Sequence, residues 1–131
     1  MPYDLWMDET TTLYRPVGTA ELELIRDSGY TRFPPRLPHQ PIFYPVLNEE
    51  YAREIAEKWN TKDEASRYAG YVTRFRVKTK FIQQFAVEQV GDSHHRELWI
   101  QAASLEEMNR NLVGKIEVIA EFHGLPADPK S

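Results

Sequence analysis

Gly70-Tyr71-Val72-Thr73-Arg74-Phe75-Arg76-Val77 is the stretch that decides the fold class. Side chains alternate between the two faces of a β-strand, so Tyr71, Thr73, Phe75 and Val77 share one face and Val72, Arg74 and Arg76 the other. That is the period-two pattern of a strand with one wetter face. A second alternating run lies at 115–122, with Ile116, Val118, Ala120 and Phe122 on one side. Shorter runs read as strands at 13–17, stopping near Gly18, at 42–46, where Pro45 marks an edge or bulge, at 86–90, ended by Gly91-Asp92, and at 98–100.

Helical signals fall between these runs. Thr19 can cap a helix over 20–27, with Leu22 and Ile25 inward and Ser28-Gly29 as its end. Asn48 caps the strongest helix, over 48–59: Glu49 and Glu50 suit its positive end, and Tyr51, Ala52, Ile55, Ala56 and Trp59 recur at helical spacing. Ser104 and Glu107 form a capping box, with Leu105, Met108 and Leu112 as the apolar face that follows. Residues 60–69 read as a loop or frayed turn, and 81–85 is ambiguous, with a short helical turn favoured. The order predicts a single α+β domain, with about three helices around a mixed or antiparallel split sheet. No glycine-rich turn joins an early strand to its helix, so a doubly wound nucleotide fold is not expected. The domain is placed at 13–123. Residues 1–12 read as an N-terminal tail, with Leu5 and Trp6 docking back, and 124–131 as a disordered C-terminal tail.

A chain of 131 residues suits one core and a cleft. No run approaches the roughly 18 apolar residues that would span a bilayer, and the start Met1-Pro2-Tyr3-Asp4 lacks a signal-peptide pattern, so a cytoplasmic protein without membrane contact is expected. The absence of cysteine excludes disulfides, thiolate nucleophiles and thiolate metal sites. Chemistry must come from carboxylates, hydroxyls, imidazoles or arginines. The net charge of −4 and the scattered basic residues disfavour generic duplex DNA binding, although a nucleotide in a pocket with one or two arginines is compatible.

Among the candidates, Glu97 comes first. It opens the apolar run Leu98-Trp99-Ile100 and sits at the mouth of a strand, where a small α/β enzyme uses a carboxylate. The alternative is a solvated rim residue. Residues 31–41 carry Pro34, Pro35, Pro38 and Pro41 beside Arg32, Arg36 and His39, an ordered irregular loop able to wall a site. Arg36, His39 and Gln40 are candidates for lining a nucleotide entrance, or are solvated loop residues. Arg74 and Arg76, on one strand face, are candidates for a phosphate or RNA contact. His94 and His95 are adjacent and in a strand would point to opposite faces, so no metal site is expected.

The segments Leu13-Tyr14-Arg15-Pro16-Val17, Phe33-Pro34-Pro35-Arg36, Gln40-Pro41-Ile42-Phe43-Tyr44-Pro45-Val46 and Arg96-Glu97-Leu98-Trp99 resemble the small bacterial proteins labelled as ADP-ribosylation or crystallin J1 proteins, over about residues 13–122. More distantly the chain is similar to the ADP-ribosyltransferase fold, in which a first-strand Arg or His contacts NAD, an aromatic or hydroxyl residue starts a middle motif and a late-strand Glu directs transfer. The resemblance implies Arg15, Tyr44 and Glu97 in those roles, in that order. It also implies NAD as substrate, with Tyr14, Arg15, Arg36, His39, Gln40, Phe43 and Tyr44 as the binding set. Chemically, Arg15 offers forked donors, Tyr44 a ring and a hydroxyl, and Glu97 a fixed negative charge for an oxocarbenium-like centre.

Arg15-Pro16 stands where one large branch has His-Gly, no Ser-Thr-Ser follows Ile42, and His95 stands where some members carry a second acidic or amide residue. Modification of arginine is therefore disfavoured, and the acceptor is open. Two other functions compete: a nonenzymatic nucleotide or ADP-ribose binder, and a partner-binding protein using the Pro-rich loop and exposed aromatics.

Overall fold

The computed structural model describes residues 9–124. Strand β1 (Thr10–Val17) is followed by α1 (Thr19–Asp27), the irregular loop, the short β2 (Ile42–Phe43) and α2 (Glu49–Lys58). Two 3-10 turns, Asn60–Lys62 and Glu64–Ser66, lead into β3 (Ala69–Lys78) and the single-turn α3 (Thr79–Ile82). Then come β4 (Val87–Gln89), β5 (Arg96–Leu98), β6 (Ile100–Gln101), α4 (Ala102–Arg110) and β7 (Leu112–His123). This is a small α+β domain with four described helices, in which all the strand pairs are antiparallel. No described helix is long and apolar enough to cross a membrane.

The alternating stretch at 70–77 is the middle strand of the sheet β1-β3-β7. Phe75 and Val77 are buried on one face as expected, in a core with Leu13, Ile25, Phe33, Phe43 and Ile100. Phe33 meets Phe43 and Phe75 edge-on, with ring centroids 5.1 and 4.7 Å apart. Burying each such ring is worth about 1.5–3 kcal/mol. The other face is wet only at its far end. Val72 is fully buried, in a second core with Val46, Tyr51, Ala52 and Ala56 from under α2. Gly70 permits that close approach, since a Cβ there would stand 2.4 Å from the Ala56 carbonyl oxygen.

Three local expectations are corrected. The α4 helix starts at Ala102 with Gln101 at its N-cap and no side-chain cap, so Ser104 lies inside the helix and forms no capping box. Pairing of β6 with β2, together with the bond from the Ala102 N–H to the Pro41 carbonyl (2.8 Å), begins the helix earlier. Thr19 is the first helical residue rather than the cap, and its hydroxyl donates to the Ser66 carbonyl (2.9 Å). The alternation at 115–122 is interrupted by register shifts against β3, which leave Val118 39% exposed while Ile119 joins Ala120 and Phe122 against the second core. Strand β1 begins at Thr10, three residues before the sequence reading, whereas Asn48 caps α2 as expected, accepting from the Tyr51 N–H at 2.7 Å. The readings of residues 1–8, with Leu5 and Trp6, and of 125–131 lie outside the described residues.

Candidate functional site

Backbone pairing brings three distant segments side by side. The expected strand at 42–46 survives as β2 plus one bridge residue, because Pro45 has no N–H to continue a ladder. Val46 instead exchanges bonds with Tyr14 of β1, N–H to carbonyl, at 3.0 and 2.7 Å. On its other side the Pro45 carbonyl accepts from Leu98 (2.9 Å) and the Leu47 N–H donates to the Arg96 carbonyl (3.0 Å). Residues 45–47 therefore lie between β1 and β5.

The consequence is a cleft of about 510 Å³ whose walls include Arg15, Arg36, Tyr44, Glu97 and Trp99. Arg15, Tyr44 and Glu97, the three residues expected in chemical roles, are all among them. Both oxygens of Glu97 are held. The Tyr51 hydroxyl donates to Oε2 at 2.9 Å and the Trp99 indole N–H to Oε1 at 2.7 Å. Burial, then the bond to Glu97 and its charge, push the Tyr51 phenol up to about 12. Tyr44 and Trp99, 41% and 47% exposed, stand edge to face with centroids 6.3 Å apart.

Arg15 occupies the core-facing side of β1, between Leu13 and Val17. A guanidinium there needs a partner, and α1 supplies it: Nε and Nη2 donate to the two oxygens of Glu21 at 2.7 and 2.8 Å. Its Cζ lies 4.4 Å from the centre of the Phe43 ring, with that of Arg36 at 5.9 Å. Arg36 is set by its loop, where Phe33 is anchored on both backbone groups by the Asn109 side chain (2.9 and 3.0 Å). Its Nε donates to the Ile42 carbonyl (3.1 Å). Burial, and secondarily the neighbouring Arg15 charge, lower the pKa of Arg36.

Other members of the expected binding set lie elsewhere. Phe43 is fully buried in the core and forms the floor beneath the two arginines. Tyr14, on the opposite face of β1 from Arg15, borders a separate depression with Arg74, Arg76, Lys115 and Glu117, and Arg74 there is paired to Glu117 (3.1 Å). Gln40 borders a second cleft of about 470 Å³ that shares Arg15, Pro16, Arg36 and Asn60 with the first. His39 is exposed in a turn and lines neither.

The sequence reading missed the holders of the charged groups. Trp99 follows Glu97 by two residues, the same-face spacing of a strand, which is a usable signal. Tyr51 counted only as an apolar helix position, and Glu21 was not singled out. His94 and His95 are also corrected. They precede β5 in a turn, so they do not diverge as strand neighbours would, and both rings turn to Glu54 of α2, each with Nε2 2.9 Å from a different carboxylate oxygen. The bonds from both imidazoles hold the Glu54 carboxyl below its usual range, and the bond to Glu54 raises His94.

No protein-family model, curated protein or solved structure matches this chain.

Proposed function

We propose that this chain is an ADP-ribosyltransferase-like protein that takes NAD into the cleft between Arg15, Tyr44 and Glu97 and transfers its ADP-ribose to an acceptor. The observation that carries the proposal is the convergence of these residues, from β1, the segment after β2 and β5, on one concave surface. In the proposed reaction the bond from nicotinamide nitrogen to the ribose anomeric carbon breaks and its electron pair leaves with nicotinamide. The acceptor's nucleophile bonds to the anomeric carbon and releases its proton to solvent. Glu97, fixed by Tyr51 and Trp99, supplies negative charge where the ribose becomes oxocarbenium-like. Tyr44 and Trp99 offer exposed ring surface to a flat heterocycle, and the two clefts meeting at Arg15 and Arg36 suit the two halves of a dinucleotide around its diphosphate.

A second reading, a binder of ADP-ribose without turnover, is favoured by the commitment of both Glu97 oxygens to protein donors and of two Arg15 nitrogens to Glu21. Calorimetry with NAD, combined with an assay of nicotinamide release, separates the two. Wild type is expected to bind saturably. Tyr44→Ala should bind roughly tenfold more weakly, the loss of one stacking ring. Glu97→Gln should still bind but release nicotinamide about 100-fold more slowly, the scale of a lost electrostatic stabiliser. Binding without release supports the passive reading, and no NAD binding by wild type sinks both.

A further inference from the structure

Behind the cleft, on the far side of Tyr51, Glu54, His94 and His95 present one carboxylate and two imidazole nitrogens within 4.8 Å of one another. The turn that carries the histidines is held in place. The Val90 N–H donates to the His95 carbonyl (2.8 Å), the His95 N–H to the Asp92 carbonyl (2.9 Å), and the Asn48 side-chain amide to the His94 carbonyl. Tyr51 lies flat on the His95 ring, with centroids 4.3 Å apart and planes 17° from parallel.

The hydrogen bonding of His95 fixes which of its nitrogens faces Glu54. Its Nδ1 is 3.2 Å from the Val90 carbonyl oxygen, which can only accept, so Nδ1 carries the hydrogen. In a neutral imidazole Nε2 is then a bare lone pair, and it points at a Glu54 oxygen 2.9 Å away. A lone pair and a carboxylate oxygen facing one another in this way can share a proton or a metal ion. Orientation of a histidine by a carbonyl on its second nitrogen is also how metal-ligating imidazoles are fixed. The His94 ring stands 4.3 Å from that of His95, and the Nε2 atoms of both face the one carboxylate.

We propose that Glu54 and the Nε2 atoms of His94 and His95 bind one divalent ion of the zinc class. Two imidazoles with one carboxylate suit zinc and the neighbouring transition ions, whereas magnesium and calcium prefer all-oxygen sites. With bonds of about 2.0–2.2 Å, tetrahedral ligand atoms stand roughly 3.4 Å apart, so each His–Glu pair opens by about 0.5 Å. The partly exposed side chains, 23–32% accessible, have room to do so and leave a fourth position to water. The ion fastens the turn before β5 to α2, one ring away from the residue whose hydroxyl holds Glu97. The site does not depend on the NAD reading.

The test is calorimetric titration of chelator-treated full-length protein with zinc chloride, at one pH, for wild type, Glu54→Gln, His95→Gln and His123→Ala. Wild type and His123→Ala should bind one ion with the same affinity, unaffected by excess magnesium, and zinc should raise the unfolding temperature of both. Glu54→Gln and His95→Gln should bind at least about 100-fold more weakly and gain no thermal protection, since loss of even an indirect supporting group costs about 10–100-fold. Circular dichroism of the metal-free variants checks that they fold. His94→Gln replaces any that does not. The visible bands of cobalt in the same site report its coordination by nitrogen and oxygen. Absence of saturable binding by wild type, or undiminished binding by folded Glu54→Gln and His95→Gln, overturns the proposal.

Discussion

Glu21→Ala leaves the Arg15 guanidinium, 4.4 Å from the centre of the Phe43 ring and beside Arg36, without the carboxylate that pairs with it. The Arg15 side chain is 11% exposed and that of Glu21 20%, and two hydrogen bonds of 2.7 and 2.8 Å join them. Removing one partner of a fully buried pair costs about 3–5 kcal/mol, most of it the penalty on the charge left behind. Residual solvent access to Glu21 brings the expected loss to about 2–3 kcal/mol. Against a total stability of about 5–15 kcal/mol this is a large fraction, and in a domain of this size it lowers the unfolding temperature by roughly 6–12 °C. Arg15→Ala should cost a similar amount, and the double variant Arg15→Met with Glu21→Leu should recover most of it, because apolar side chains can pack on Phe43 with no charge to desolvate. Urea unfolding followed by tryptophan fluorescence of wild type, Arg15→Met, Glu21→Leu and their double variant gives the four corners of the cycle, with an expected coupling of about 2 kcal/mol. Single variants costing under about 0.5 kcal/mol with no coupling would refute the reasoning. The same cycle bears on ligand tests: loss of NAD binding in Arg15→Ala would mix a lost contact with a loosened β1–α1 junction, which is why Tyr44 and Glu97 are the better probes.

Gly70→Ala should destabilise by at least about 2 kcal/mol in urea, since the new methyl meets the Ala56 backbone carbonyl and α2 must lift from β3; a change under about 0.5 kcal/mol would show that the helix does not pack so closely. In chelator-treated protein, the raised Tyr51 phenol, about 12 in the folded chain against 10.0 for a free one, means that the native state keeps a proton the unfolded state releases. Its contribution to stability is complete below pH 10 and is lost as pH rises from 10 to 12. Stability of Tyr51→Phe should therefore fall less steeply across that window, and equal slopes would contradict the assigned hydrogen bond to Glu97.

Elements whose driving force is local were legible in the sequence. The α2 cap at Asn48 and the apolar spacing behind it are properties of ten consecutive residues, as is the end of α1 at Ser28-Gly29. What failed depended on pairing partners. The α4 start moved because Ile100 and Gln101 pair with residues 42 and 43, nearly sixty positions away, and nothing local to Ser104 records that. The buried face of Val72 has the same origin: the pattern Val72, Arg74, Arg76 reads as wet until α2, delivered by its own loop, covers one end of it. β-Bulges are similarly invisible, because a register shift is set by the partner strand as much as by its own residues.

For the site, order along the chain and adjacency in space carried different information. Three separated motifs named Arg15, Tyr44 and Glu97 as candidates, and their meeting follows from one residue, Val46, bonded on one side to Tyr14 and bridged on the other to Glu97. The arginine itself held a further clue. In Leu13-Tyr14-Arg15-Pro16-Val17 it takes the position between two core residues, and a charge on an inward face requires an opposite charge nearby. Glu21, in the first turn of the next helix, is the carboxylate that meets it. The histidines show the converse limit. Period-two reasoning separates His94 from His95 only if the chain is already extended there, and the turn at 91–95, opened by Gly91 at φ +81°, swings both toward α2 before β5 begins. Adjacent polar residues beside a glycine turn are thus free of strand alternation, and their convergence on Glu54 comes from a helix that lies forty residues earlier in the chain.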